Sequence, residues 1–219
     1  MSTAFRIKDV RVWTVLKSTK GGDYFNQGTD EHWLVDNLIS NPMSSHPAYR
    51  AKRTSWGIGV LGSILVEVES EDGRVGVATG TGGVPAAWLI KNHYARFLDG
   101  QDARNTNLVW DQMYRASLPY GRKGIPIMAI SAVDLALWDL LGKIRSEPVY
   151  NLIGGRTRNE ITFYCTGPDA EAIKGLGFWG AKVPLPHGPA DRDAGIAQNV
   201  EFLRKHREAV VKDFPLMVD

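Results

Sequence analysis

Alternation of apolar and polar positions sets in at once. From Arg6 to Val15, Val10, Val12 and Thr14 fall on one side and Asp9, Arg11 and Trp13 on the other, the period-two pattern of a half-buried strand. A second alternation runs from Ile58 to Glu69, and after Asp72-Gly73 a third run follows, Val75-Gly76-Val77-Ala78. Two strand-like runs joined at Asp-Gly predict an antiparallel hairpin with a type I′ turn, whose two central residues both need positive φ. The period then changes. Ala87, Ile90, Tyr94 and Phe97 share one helical face after Pro85, which suits a first helical position; Val109, Met113 and Ala116 mark a second helix. Ile127 to Leu141 is apolar on nearly every side and predicts a buried third helix. Residues 17–32, with Lys20-Gly21-Gly22-Asp23 and Gly28, have no apolar period and read as a long loop, a kind of segment that often carries function.

Beyond the Leu152-Ile153-Gly154-Gly155 linker the order of elements is different. Glu160–Thr166 reads as a strand, Asp169–Leu176 as a helix and Trp179–Val183 as a strand. Asp191–Val211 reads as a long helix with Glu201/Lys205 and Glu208/Lys212 at favourable spacing, and Leu216–Val218 as a strand. Three strands followed by three helices make an α+β unit, and the alternation after it opens a parallel β/α layer. The expected domains are therefore an α+β domain over 1–152 and the start of a β/α barrel, its first three strands, over 153–219.

Composition narrows the class without naming a partner. Lys and Arg number 26 against 24 Asp and Glu, a net charge of +2, which supplies no general attraction to nucleic acid or to an anionic membrane. The single cysteine, Cys165, can form no internal disulfide and no cysteine cluster for zinc, which fits a reducing compartment and a cytoplasmic location. The N-terminus shows no leader-type apolar region, and no apolar run of ~18 residues is evident.

Several motifs carry a chemical temptation. Gly80-Thr81-Gly82-Gly83 follows a strand and precedes a helix, yet Pro85 stands where a dinucleotide fingerprint needs its third glycine, and the strand before it belongs to a hairpin. Gly121-Arg122-Lys123-Gly124 lacks the terminal Ser or Thr of a phosphate loop. No histidine among 32, 46, 93, 187 and 206 has the spacing of a zinc helix; His93 and His206 fall inside helices, where packing or solvation explains them. His32 beside Trp33 reads equally as a solvated loop histidine, and Arg53 equally as a surface charge. His187 follows the strand ending at Pro184 and would rim the active face of a β/α layer. Lys182 is the more telling residue. A lysine inside a short barrel strand meets no bulk water on either face and calls for an anion near the strand's C-terminal end. Asp219 stands at the tip of the next strand, where a carboxylate could ligate a hard cation; one carboxylate cannot supply the ~6 oxygens of Mg²⁺.

An α+β capping domain, then a barrel whose second strand carries Lys182 and whose third ends in Asp219, resembles the enolase superfamily. The run Ser131-Ala132-Val133-Asp134-Leu135-Ala136-Leu137-Trp138-Asp139-Leu140-Leu141-Gly142-Lys143, followed by Pro148-Val149-Tyr150-Asn151-Leu152-Ile153-Gly154-Gly155, is similar to the mandelate-racemase-type branch, from Val10 to Asp219. Within it, Gly21-Gly22-Asp23-Tyr24 to Gln27-Gly28, Glu31-His32-Trp33, Asn41-Pro42-Met43-Ser44, Ile58-Gly59-Val60-Leu61-Gly62 and Ala181-Lys182-Val183-Pro184 to His187-Gly188-Pro189 resemble the L-rhamnonate dehydratase group. Pro184 stands where many branch members carry a second lysine, a departure from racemase-type two-base chemistry.

The resemblance implies the N-terminal half of a (β/α)7β barrel enzyme with its cap: a Mg²⁺-dependent hydro-lyase acting on a small sugar acid, cytoplasmic and homo-oligomeric, without nucleic-acid or membrane partners. It implies that His32 and Arg53 bind the sugar acid, that Lys182 and His187 line the site and that Asp219 is the first of three metal carboxylates. The reaction would convert L-rhamnonate to 2-keto-3-deoxy-L-rhamnonate by α-proton abstraction and loss of the β-hydroxyl. Because that α-proton is weakly acidic, the enediolate needs several kcal/mol of electrostatic stabilisation from metal and fixed donors. The base and the other two carboxylates are expected beyond residue 219, so no catalytic base is expected within the chain, and the chain alone is expected to be inactive. Two alternatives stand beside this reading: a silent fragment or partner-binding protein, and a dehydratase or racemase for another sugar acid.

Overall fold

The structure, a computed structural model, describes residues 2–15, 39–50 and 61–219. The predicted loop at 17–32, the start of the second alternation at Ile58–Val60, and His32 and Arg53 lie outside the described residues. Two compact units emerge: one from residues 2–15 and 61–157, the other from 39–50 and 158–219.

The first unit is built on an antiparallel sheet of β1 (Ile7–Val15), β2 (Ser63–Ser70) and β3 (Val75–Thr81), in that order. Its register puts Val10 opposite Val68, Val12 opposite Val66 and Thr14 opposite Ile64. Ile64, Val66 and Val68 in turn face Gly80, Ala78 and Gly76. One face is therefore aliphatic on two strands and nearly bare on the third. Helix α3 (Ile125–Arg145) fills that bare strip: a Cβ at Gly76 would lie 2.1 Å from the Ala136 carbonyl oxygen, and one at Gly80 would lie 2.9 Å from the Ala132 Cβ. The opposite face of the sheet carries charge, with Lys8 Nζ 2.7 Å from Glu69 and Arg11 Nη2 3.0 Å from Glu67. Charges along an edge strand such as β1 discourage pairing with another chain.

The hairpin forms, by a different turn from the one expected. Gly73 N donates to Ser70 O (2.9 Å), and Gly73 alone takes a positive φ, 87°; Asp72 does not. This is a type I turn closed by a left-handed glycine, and the Asp72 carboxylate takes a hydrogen bond from the Ser70 hydroxyl at 2.6 Å. The first helix also departs from its predicted stripe. Helix α1 (Gly83–Leu89) runs into a π turn over Ile90–Tyr94, so every fourth residue stays on one side: Ala86, Ile90, Tyr94 and Leu98 are fully buried, while Pro85 is third in the helix. Helix α2 (Thr106–Ser117) buries Val109 and Met113. Although no apolar run of that length was expected, helix α3 is long and apolar enough to cross a membrane by length and composition alone; Ala129, Ile130, Val133, Leu137 and Leu140 fill this unit's core. A short helix, α4 (Val149–Leu152), follows.

In the second unit β4 (Tyr164–Thr166), β5 (Gly180–Val183) and β6 (Leu216–Val218) form a parallel sheet in chain order. Helix α5 (Ala170–Gly175) connects the first pair and α6 (Arg192–Ala209) the second. Asp169 caps α5, its Oδ1 accepting from Glu171 N and Ala172 N at 3.0 Å. Ala170, Ile173, Ala181, Val183, Val210 and Phe214 make the core. On α6 the expected Glu201–Lys205 pair forms, but Arg204 is the hub, 2.7 Å from Glu201 and paired also with Glu208. Lys212 lies past the helix end, and Lys205 is 3.8 Å from Glu201.

Candidate functional site

Along strand β5 the alternation of faces decides where a charge can go. Ala181 and Val183 turn into the core against α5 and α6, so Lys182 is forced to the other face. Its Nζ meets Asp219 Oδ2 at 2.6 Å, across the tips of β5 and β6. The anion that a strand lysine calls for is thus the carboxylate at the next strand's end. The backbone fixes the pair in place: Asp219 N donates to Val183 O (3.3 Å) and Leu185 N to Asp219 O (2.9 Å). The hydrogen bond to Asp219 raises the Lys182 pKa, so the ammonium persists throughout the physiological range.

A second constellation lies at the same end of the sheet and was not anticipated from sequence. The chain leaving β5 turns at Leu185, whose carbonyl accepts from Ser40 N at 3.0 Å, bringing residues 39–50 onto these tips. Asn41 caps a 3₁₀ turn over Pro42–Ser45, its Oδ1 accepting from Met43 N at 2.9 Å. At the segment's far end Arg50 Nη1 pairs with Asp191 Oδ1 at 2.9 Å. The other Asp191 oxygen accepts from Gly188 N (3.0 Å) and faces His187 Nδ1 at 3.7 Å. The Gly188 amide, then the charge of Arg50, hold the Asp191 carboxyl below its ordinary pKa. His187 is pinned through its backbone as well: Asn199 Oδ1 accepts from its N–H at 3.2 Å, and Asn199 Nδ2 donates to its carbonyl at 2.9 Å.

The structure thus brings Lys182 and Asp219 into contact and places His187 at the same strand ends, with Arg50 and Asp191 as unpredicted partners. Asp191 gave a faint signal, an acid just before a helix, but read as helix it revealed nothing of its reach to Arg50. His93 and His206 take the packing roles expected of them. His93 Nδ1 lies 2.6 Å from the Tyr120 hydroxyl, and His206 packs edge-on to Phe202. A metal site is another matter. Among the described residues no group of three or more His, Cys, Asp or Glu side chains is placed to hold an ion, so Asp219 offers a single carboxylate, already engaged by Lys182. These residues by themselves do not fit a Mg²⁺ site.

Comparison with known proteins adds the following. The family described as mandelate racemase / muconate lactonizing enzyme, N-terminal domain, matches residues 38–154. An L-rhamnonate dehydratase of Saccharopolyspora erythraea is 49% identical over 214 residues, 98% of this chain and 54% of that protein. The crystal structure of rhamnonate dehydratase from Gibberella zeae complexed with Mg superposes with a TM-score of 0.90 at 60% identity, covering 98% of this chain and 53% of that one. The 3,6-anhydro-D-galactonate cycloisomerase of Zobellia galactanivorans shares the fold at 25% identity and a TM-score of 0.69, over 98% of this chain and 50% of that one. The chain spans about half the length of the relatives it matches.

Proposed function

We propose, because this chain belongs to the mandelate racemase / muconate lactonizing enzyme family, that it forms the capping domain and first barrel strands of a sugar-acid dehydratase, with L-rhamnonate as substrate and 2-keto-3-deoxy-L-rhamnonate as product. The observation that carries this reading is the Lys182–Asp219 pair at the tips of adjacent parallel strands, the end where β/α folds keep their chemistry. In this reading the protein is a cytoplasmic homo-oligomer, residues 1–152 form the cap, and His32 and Arg53 hold the sugar acid. Lys182 adds positive charge where an enediolate would gather negative charge, a stabilisation worth most at a site closed to water. Asp219 contributes one carboxylate toward Mg²⁺, and the remaining oxygens come from groups these 219 residues do not supply.

The test compares two polypeptides, the 219-residue chain and the product of the whole reading frame that encodes it. With Mg²⁺ and a panel of aldonates, the whole product is expected to release a 2-keto acid from L-rhamnonate, and the 219-residue chain to release none. In the whole product His32→Ala and Arg53→Ala should each lower kcat/KM at least tenfold, since hydrogen bonds to a charged substrate contribute about 1.5–3 kcal/mol. Turnover by the 219-residue chain would overturn the account of the missing ligands. Preference of the whole product for another aldonate would move the substrate, and unchanged kinetics in both variants would remove these side chains from the site.

A further inference from the structure

His187 is held more firmly than a loop histidine needs to be. One asparagine, Asn199, takes both its backbone N–H and its carbonyl. Asp191 faces its Nδ1 and is itself fixed by Arg50 and Gly188 N. Helix α6 comes close enough to clamp the pair because its residue 195 is glycine: a Cβ there would lie 2.4 Å from the Asp191 Cβ and 3.1 Å from the His187 Cβ. The His187 side chain keeps only 18% of its surface, in the loop leaving the strand that carries Lys182. A carboxylate facing Nδ1 favours the tautomer with its proton there, leaving Nε2 as the acceptor nitrogen, with no partner among the described residues. An imidazole fixed this way is suited to one directed hydrogen bond with a neutral hydroxyl.

We propose that His187 is a substrate-binding residue whose Nε2 accepts from a hydroxyl of the sugar acid, with Asp191 as the positioning residue that orients the ring. The proposal rests on the dehydratase reading and deepens it: Lys182 would meet the acid end of the substrate, and His187 a hydroxyl further along. Two amide isosteres separate binding from architecture. Glutamine carries its amide about where Nε2 sits, and asparagine about where Nδ1 sits, so His187→Gln keeps the group facing the ligand and His187→Asn keeps the group facing Asp191.

The experiment measures the steady-state kinetics of the product of the whole reading frame and its His187→Gln, His187→Asn and His187→Ala variants with L-rhamnonate and Mg²⁺, beside their thermal midpoints. The expected result is a kcat/KM within about twofold of the unsubstituted protein for Gln, and a kcat/KM about tenfold lower for Asn and Ala, carried by KM, at matched thermal midpoints, the size of one lost hydrogen bond. Equal kcat/KM in all four proteins, or activity kept by Asn and lost by Gln, overturns the role of His187 and leaves the dehydratase reading standing. Failure of the unsubstituted protein to turn over L-rhamnonate or any other aldonate overturns both.

Discussion

Lys182 and Asp219 form the contact on which the functional reading turns, and their pairing makes a measurable claim. Because the Asp219 hydrogen bond is the main cause of the raised Lys182 pKa, Asp219→Asn should bring the amine down toward its ordinary value. A pH titration of the Lys182 side chain by heteronuclear NMR would show this, and an unmoved midpoint would mean that the two groups do not pair in solution. His93 offers the opposite sign. Burial, aided by the charge of Arg96, lowers its pKa below 6.5, so the folded state prefers the neutral ring that meets Tyr120 and Phe97. Its contribution is complete above the unfolded-state value and is lost as pH falls through the lower folded-state value. Urea midpoints between pH 7 and pH 5 should therefore fall less steeply in His93→Gln than in the parent chain. Parallel slopes would remove His93 as a cause of acid sensitivity.

At the scale of elements, the bare strip on β3 explains why α3 packs where it does. Ala132 of the helix lies against Gly80, Ala136 and Leu140 lie against Gly76, and Asp139 accepts from the edge amide of Val77 at 2.7 Å while Lys143 donates to Val75 O at 2.9 Å. Gly76→Ala drives a methyl against helix backbone, which cannot rotate away, and should cost about 3 kcal/mol, the upper end for overpacking. Gly175→Ala at the end of α5 meets nothing within 4 Å and should instead stabilise by about 0.5–1 kcal/mol. Chemical denaturation of both variants checks the contrast, and a neutral Gly76→Ala would show that sheet and helix are farther apart than described. Much at this scale was legible in the sequence. Strict alternation located β1, and the short apolar run ending in Asp219 located β6. The strand expected over Glu160–Thr166 survives only as Tyr164–Thr166, because a ladder lasts no longer than its partner and β5 begins at Gly180. The type I′ turn failed for a local reason, since a left-handed glycine closes an ordinary type I turn equally well.

Across the whole molecule, what the sequence hid is the company kept by residues 39–50. They follow β1 in the chain, so reading in order assigns them to the first unit, yet their partners Leu185 and Asp191 belong to the second and lie more than a hundred positions away. No periodicity or turn chemistry encodes such a contact; only the charges of Arg50 and Asp191 foreshadow it, and either could have been paired elsewhere. Lys182 was legible for the opposite reason, because a strand's own alternation forces its charge onto a defined face. The fastening of 39–50 is testable amide by amide. The Arg50 side chain is 42% exposed, so its pair with Asp191 belongs with partly screened surface pairs of up to ~1 kcal/mol. Arg50→Ala should therefore speed native-state hydrogen exchange at the Ser40 amide, which donates to Leu185 O, by up to about fivefold. The amides of Val66 and Val68, in the core of the other unit, should exchange at parental rates. Acceleration at both places would mean that Arg50 supports the stability of the entire chain, and acceleration at neither would mean that the Ser40–Leu185 bond holds the segment without the ion pair.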